Sequence, residues 1–353
     1  MTPRTTAVVR FSSLGDVLLA AHVPSFLKRA NPGERVLFIT KARYASVLDG
    51  HHDVDGLLLL ENAGDAAGDA PSSTPVIARG ALPDLAAALR DARVDSMIDL
   101  HGNLRSAALR NGVRPPNVAR APKHGLKRRL MVHAKWIPTR PLPQLLRTYR
   151  SLAGLPADAP LTPWLRNAIS ARDRARASDA RETLQPGTFV VYGVGARWAT
   201  KRWPLEHFVS LAAAVREEWG LEPRFALSPG EPDQELLRLL GPDANLAVTL
   251  DIRALAALAA DAAAIVSNDS GILHLGPALG VPAVGLFGST VPAFGFALQG
   301  PRDAVAEIPL PCRPCGVHGR DRCPLGHHAC MNQLTPEIAL DVLRPILATV
   351  AAS

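Results

Sequence analysis

The run SNDSGILHLGPALGVPAVGLFGST, residues 267 to 290, holds the fold in miniature. It begins on the last residue of an apolar strand, Ala263–Ser267, breaks at Asn268-Asp269-Ser270-Gly271, and resumes as a helix with His274 in its first turn. A second apolar strand, Ala283–Phe287, follows at once. Two strands joined by one helix form a crossover unit, in which the strands run parallel. Such a corner is chemically equipped: a helix start leaves backbone N–H groups without intrahelical partners, so it suits phosphate. Ser270 offers a hydroxyl, and Asp269 suits a neutral polar group such as a sugar hydroxyl. Gly271 lets the backbone approach a ligand, and His274 lies one helical turn after Ser270.

Outward from this corner the same rhythm continues. Phe189–Val194, Arg224–Leu227 and Leu246–Leu250 read as further strands of the second half. In the first half the strands are Ala7–Phe11, Val36–Ile39, Gly56–Leu60 and Ser96–Leu100, with helices near Asp16–Arg29, Leu82–Ala92 and Leu104–Arg110. Each half is therefore an α/β array with a parallel, doubly wound sheet. Residues 1–165 form the first domain, a polar Arg/Ala/Asp-rich stretch (166–185) the linker, and 186–334 the second domain. A final helix over 335–353 is expected to pack back on the first. In open α/β sheets ligands sit beyond the carboxyl ends of the strands, so the loops after strands deserve inspection first.

Composition narrows the function classes. Of 353 residues, 47% are apolar, ample for two cores. No run nears the roughly 20 apolar residues of a membrane span, and MTPRTTAVVRFSS lacks the apolar stretch of a signal peptide, so a cytoplasmic protein is expected. The net charge of +7 is unevenly placed: residues 1–165 carry +9 and the rest −2. From Leu100 to Ala157 there are 12 Lys and Arg and no acid. Such an excess points to an anionic partner, whether nucleic acid, membrane headgroups or a phosphorylated substrate.

Three more loops that follow strands carry charged side chains. In RFSSLGDVLLA (10–20), Gly15 permits a tight turn and Asp16 stands at a helix start that favours the carboxylate. An acid there can serve as a general base or as a plain cap. GVGARWATKRWPLEHF (193–208) has Trp198 where a dinucleotide fingerprint needs its third glycine, and it is no P-loop. It does cluster Arg197, Lys201 and Arg202 before Trp203-Pro204, a set able to neutralise a diphosphate. DLHGNLRSAALR, from Asp99, carries His101, Asn103 and Arg105 into the acid-free segment, where Arg105 suits a planar contact to carboxylate or phosphate. HHDVDG (51–56) precedes a strand and reads as a turn.

Taken together, the SSLGD start, the K-x-W-P segment at Lys201–Pro204 and the NDSGxxH corner followed by GVPAVGLFG resemble glycosyltransferase family 9, the ADP-heptose:lipopolysaccharide heptosyltransferases. The resemblance spans nearly the whole chain and implies a GT-B architecture, two Rossmann-like domains facing across a cleft. It implies inverting transfer of a heptose from ADP-heptose to the lipopolysaccharide inner core. Asp16 would be the general base. Arg197, Lys201, Glu231, Asp269, Ser270, Gly271 and His274 would hold the donor, with Lys201 also catalytic. His101, Asn103, Arg105 and Arg120 would meet an anionic acceptor. No catalytic cofactor is implied, and the enzyme would be peripheral at the inner leaflet. The alternatives are a transferase for another nucleotide sugar or acceptor, and a non-catalytic nucleic-acid-binding protein. Against the latter, the basic segment offers only Trp136 and Tyr149 for stacking on bases.

All four cysteines lie in PCRPCGVHGRDRCPLGHHACM, at Cys312, Cys315, Cys323 and Cys330. In a reducing compartment such clustering favours structural zinc or iron over disulfides, with reduced thiols lining a loop as the alternative.

Overall fold

The computed structural model describes residues 3–61, 71–135, 141–181, 184–227, 233–298 and 300–351. Two six-stranded parallel sheets organise them. The first contains β1 (Thr5–Val9), β2 (Arg35–Lys41), β3 (Gly56–Leu60), β4 (Val76–Gly80), β5 (Ser96–Asp99) and β6 (Asn117–Arg120), in the order β4-β3-β2-β1-β5-β6. The second contains β7 (Phe189–Gly193), β8 (Glu222–Leu227), β9 (Ala247–Thr249), β10 (Ala264–Asn268), β11 (Ala283–Phe287) and β12 (Ala304–Glu307), in the order β12-β11-β10-β7-β8-β9.

The inner strands β1, β3, β7, β10 and β11 are buried at every position, as a parallel sheet covered on both faces requires. Three strands escape the sequence reading: β4, β6 and β12. All are edge strands and partly solvated, so VIARG, NVAR and AVAE show no apolar run. The helix expected over Asp16–Arg29 is two helices, Leu14–Ala20 and His22–Ala30. Pro24 cannot donate to the carbonyl four residues back, so it is accommodated in the first turn of a new helix.

Chain contacts divide the protein into two compact units, Met1–Lys123 with Leu145–Ser170, and His124–Gln144 with Ala171–Ser353. The expected boundary at 165 is thus corrected, since residues 124–144 belong to the second unit. Arg128 donates twice to the Phe294 carbonyl (3.1 and 2.9 Å), and its guanidinium lies 4.4 Å from the Phe296 ring centroid. Met131, Val132 and Leu142 pack with Val291 and Phe294.

The described part of the stretch read as a linker carries two short helices, Ala171–Arg176 and Ser178–Arg181, and is paired. Within it Asp173 accepts from buried Arg253 at 2.6 Å. Arg176 and Arg181 each reach an aspartate, Asp251 and Asp261, at 2.7 Å. The final helix, Pro336–Ala351, packs on the helix Leu205–Trp219 and on β12, within the second unit's own core. This corrects the expectation that it returns to the first domain; its apolar face fits the sheet it follows.

Candidate functional site

In each sheet the strand order reverses beside the first strand, between β1 and β5 and between β7 and β10. Neighbouring loops diverge at such a switch point and leave a crevice, the usual ligand position of the fold. The candidate residues cluster there: Asp16 follows β1, His101 and Asn103 follow β5, Lys201 follows β7, and Asp269 to His274 follow β10.

In the first unit, Asp16 is anchored on both oxygens. Oδ1 pairs with Arg10 Nη2 at 2.7 Å, while Oδ2 accepts from the Ser13 amide and hydroxyl, each at 3.0 Å. Burial alone raises the Asp16 carboxyl, but Arg10 and the Ser13 hydrogen bonds outweigh it and hold the pKa below the ordinary value. The group is an anion at neutral pH and keeps 21% of its side chain exposed. Arg10 is itself fixed by the carbonyls of Ser12 (2.9 Å) and Leu100 (2.5 Å), which ties β1 to the loop after β5.

That second loop is built on Asp99, fully buried. Its Oδ1 accepts from the His101 and Gly102 amides (3.0 and 2.7 Å), and its Oδ2 from Ser106 Oγ (2.9 Å) and Arg110 (2.7 Å). His101 packs edge-on against Phe11, with 5.1 Å between ring centroids. Burial, then the nearby Arg10 charge, lowers its pKa to about 4, so the ring is neutral at pH 7. Asn103 accepts from the Ser106 amide at 3.0 Å as the cap of Leu104–Val113. Its side-chain oxygen is therefore spent on the fold. Arg105 and Arg120 are exposed, Arg120 at the end of edge strand β6.

In the second unit, Lys201 and Asp269 meet. Lys201 Nζ lies 2.6 Å from Asp269 Oδ2 and 3.3 Å from the Asp269 carbonyl. The same Oδ2 accepts from Thr290 Oγ1 at 2.6 Å. Asn268 braces the arrangement from below: its Oδ1 accepts from the Trp203 amide (3.0 Å) and its Nδ2 donates to the Val194 carbonyl (2.7 Å). Gly193 is required here, because a Cβ would lie 2.5 Å from Ser267 Oγ and 2.9 Å from its Cβ.

The corner itself is tighter than a regular helix start. Ile272–His274 is a 3-10 turn leading into the short helix Leu275–Leu279, and Gly271 has ordinary right-handed angles (φ −60°, ψ −35°). The Asp269 amide donates to the Leu286 carbonyl and the His274 amide to the Gly271 carbonyl, both at 3.2 Å. The amides of Ser270 and Gly271 take no protein acceptor among the described residues. Ser270 Oγ lies 3.4 Å from Ser267 Oγ, and His274 is buried. Arg197 is exposed, its guanidinium 5.1 Å from the Trp198 ring centroid. Glu231 lies outside the described residues.

Three groups at the site have no place in the sequence reading: Arg10, Thr290 and Arg313. Thr290 closes GLFGST, the loop after β11, so the loops-after-strands rule could have found it. Arg313 is buried and donates to the carbonyls of Gly288 and Ile308 and, at 2.8 Å, of Thr290. Nothing in its local sequence announces that role.

The cysteines are reduced, Cys315 and Cys330 buried, Cys312 and Cys323 half-buried. Burial, then the neighbouring Cys315 sulfur, pushes the Cys330 thiol up to about 11; burial and Cys312 raise Cys315 as well. Among the described residues, the one set of three potential metal ligands within 4.8 Å of each other is His51, His52 and Asp53, not the cysteines. His51 already spends Nε2 on the Ala21 carbonyl (2.8 Å) and Nδ1 on the Asp53 amide (3.2 Å), consistent with the turn expected there. The cysteine segment is pinned to the loops after β7 and β11: Thr200 and Arg320 exchange hydrogen bonds of 2.8 to 3.1 Å, and the Cys315 amide donates to the Ser289 carbonyl at 2.9 Å.

The sequence profile of glycosyltransferase family 9 (heptosyltransferase) matches residues 83–322, a span containing Lys201 and Asp269 but not Asp16. Lipopolysaccharide heptosyltransferase 1 of Pseudomonas aeruginosa is 26% identical over 313 residues, 87% of this chain and 85% of that protein. Lipooligosaccharide heptosyltransferase 2 of Haemophilus influenzae is 29% identical over 157 residues, 42% of this chain and 44% of that one. Among solved structures, E. coli ADP-heptose lps heptosyltransferase II aligns with a TM-score of 0.67 at 19% identity, covering 98% of this chain and 99% of the other. That likeness concerns the fold, and the fold is GT-B.

Proposed function

This chain belongs to glycosyltransferase family 9, the heptosyltransferases, and from that premise we propose that it moves a heptose from ADP-heptose to the inner core of lipopolysaccharide with inversion at the anomeric carbon. An acceptor hydroxyl oxygen forms the new bond to that carbon as the carbon–oxygen bond to ADP breaks. The hydroxyl proton passes to Asp16, and ADP leaves with the electron pair. A carboxylate of low pKa is a weak base, but the hydroxyl becomes strongly acidic only as its bond to the sugar forms, so a late transfer suits it.

The observation that carries the reading is the Lys201–Asp269–Thr290 constellation beside the switch point of the second sheet. A departing diphosphate gains charge in the transition state, and a cation already held in place stabilises it without reorganisation. An ammonium has three N–H donors, so Lys201 can keep Asp269 and still reach a phosphate oxygen. Asp269 thereby positions the lysine, while the Ser270 and Gly271 amides and the Ser270 hydroxyl add neutral donors. His274 and Arg197 complete the donor contacts, Glu231 with them. His101, Asn103, Arg105 and Arg120 serve the anionic acceptor; Asn103 does so through backbone or amide nitrogen, its oxygen being occupied.

Calorimetry with ADP tests this assignment. Wild-type protein is expected to bind ADP, and Lys201→Ala to bind it at least about tenfold more weakly, the worth of one charge-assisted contact. Equal affinities would remove Lys201 from the donor site.

The four cysteines, on this reading, hold one structural zinc or iron, and no metal takes part in transfer. A bound cation would draw out the thiol protons, and the sulfurs would close inward to share it. Elemental analysis of purified protein is expected to give about one equivalent that chelation removes with loss of thermal stability; full stability without metal argues for plain thiols. Among the described residues no helix is long and apolar enough to cross a membrane, which accords with a peripheral place at the inner leaflet of the cytoplasmic membrane.

A further inference from the structure

The helix Gly125–Ala134 (GLKRRLMVHA) divides its residues in an unusual way. Its inner face is fastened, through Arg128 to the Phe294 carbonyl and through Met131 and Val132 to Leu142, Val291 and Phe294. Just past its end, Lys135 Nζ donates to the carbonyls of Cys312 (3.0 Å) and Pro314 (2.8 Å). The outer face then shows two leucines one turn apart, Leu126 at 84% exposure and Leu130 at 51%. Lys127 and Arg129 stand beside them, also exposed, and exposed Lys123 precedes the helix.

A short helix fixed from below would ordinarily present only polar groups to water. Water penalises exposed leucines, and among the described residues these two stay largely open to solvent. Apolar side chains interleaved with cations, on a face lying in a stretch without one acid between Leu100 and Ala157, match one environment. At the boundary of an anionic bilayer, the leucines enter the acyl region and the cations meet phosphate headgroups.

We propose that the outer face of this helix is the docking surface that places the protein on an anionic phospholipid bilayer. It rests on the transferase reading only for the biological sense of docking, since a lipid-borne acceptor would then be met in two dimensions. Each cation near such a surface strengthens binding about fivefold, and the two leucines contribute more. One helix of this length gives reversible attachment, suited to an enzyme that must leave each product.

Co-sedimentation with vesicles decides the matter. Wild-type protein is expected to bind vesicles containing phosphatidylglycerol and to release as salt rises, and to ignore pure phosphatidylcholine. Leu126→Ser/Leu130→Ser and Lys127→Glu/Arg129→Glu should each weaken partitioning at least about tenfold, with melting temperature and ADP affinity unchanged. The altered groups are on the surface, so both variants should fold. Unchanged partitioning in both variants, or no wild-type binding to phosphatidylglycerol, overturns the proposal. So does a concentration-dependent dimer that the leucine variant abolishes, without vesicle binding. Vesicle binding without ADP affinity would leave this surface standing and remove the transferase reading; ADP affinity without vesicle binding would do the reverse.

Discussion

At the scale of single residues, the chemistry depends on which charges are already paired. Asp16 is ionised by Arg10 and Ser13 against its own desolvation, so its anionic form persists as the medium turns acidic. The acid limb of kcat/KM is expected to stay flat to below about pH 5, where an ordinary base of higher pKa would already have lost activity. On the proposed mechanism Asp16→Asn removes the proton acceptor and keeps the shape. Transfer should fall by about 10²-fold or more while ADP affinity holds, because the change touches no donor contact. Turnover near wild type would assign the base elsewhere. Asp16, Lys201 and the Asn268-to-His274 corner are visible in the sequence because each stands at a strand end, where side-chain type and position agree. Arg10 and Arg313 are not, because such a guanidinium is identified only by the carbonyls folded around it, among them Leu100 for Arg10 and Gly288 and Thr290 for Arg313, which lie far off in sequence.

At the scale of elements, visibility follows burial. Inner strands announce themselves as apolar runs, whereas β4, β6 and β12 face solvent on one edge and carry mixed composition. The polar stretch before β7 misleads in the opposite sense. It reads as a solvated connector, yet the helix Ala171–Arg176 is tethered by Asp173 to Arg253, with side chains only 9% and 7% exposed. Removing one partner of such a pair strands a buried charge, so Asp173→Ala should cost about 3–5 kcal/mol of unfolding free energy. Urea denaturation measures it; a loss within about 0.5 kcal/mol, the range of ordinary surface substitutions, would show that the pair is dispensable.

For the whole molecule, stability is coupled to acid through two neutral imidazoles, His51 buried and His101 half-buried. Burial lowers His51 and His101 from 6.5 to about 4. Between those values the unfolded chain binds protons that the folded chain refuses, so stability is full above pH 6.5 and falls as pH drops toward 4. Asp16, depressed, adds its loss only lower still. The denaturant midpoint should therefore be clearly lower at pH 5 than at pH 7.5, and equal midpoints would contradict the burial of these rings. The sequence by itself determined the two parallel sheets and the family, since alternation of apolar runs with helices and short local motifs are properties of neighbouring residues. Tertiary structure alone decided that residues 124–144 and the last helix join the second unit, that Lys201 is held by Asp269 and Thr290, and that Leu126 and Leu130 stay exposed. Each of these depends on which of several available apolar or charged partners folding brings within reach, a choice made by packing and not by local sequence.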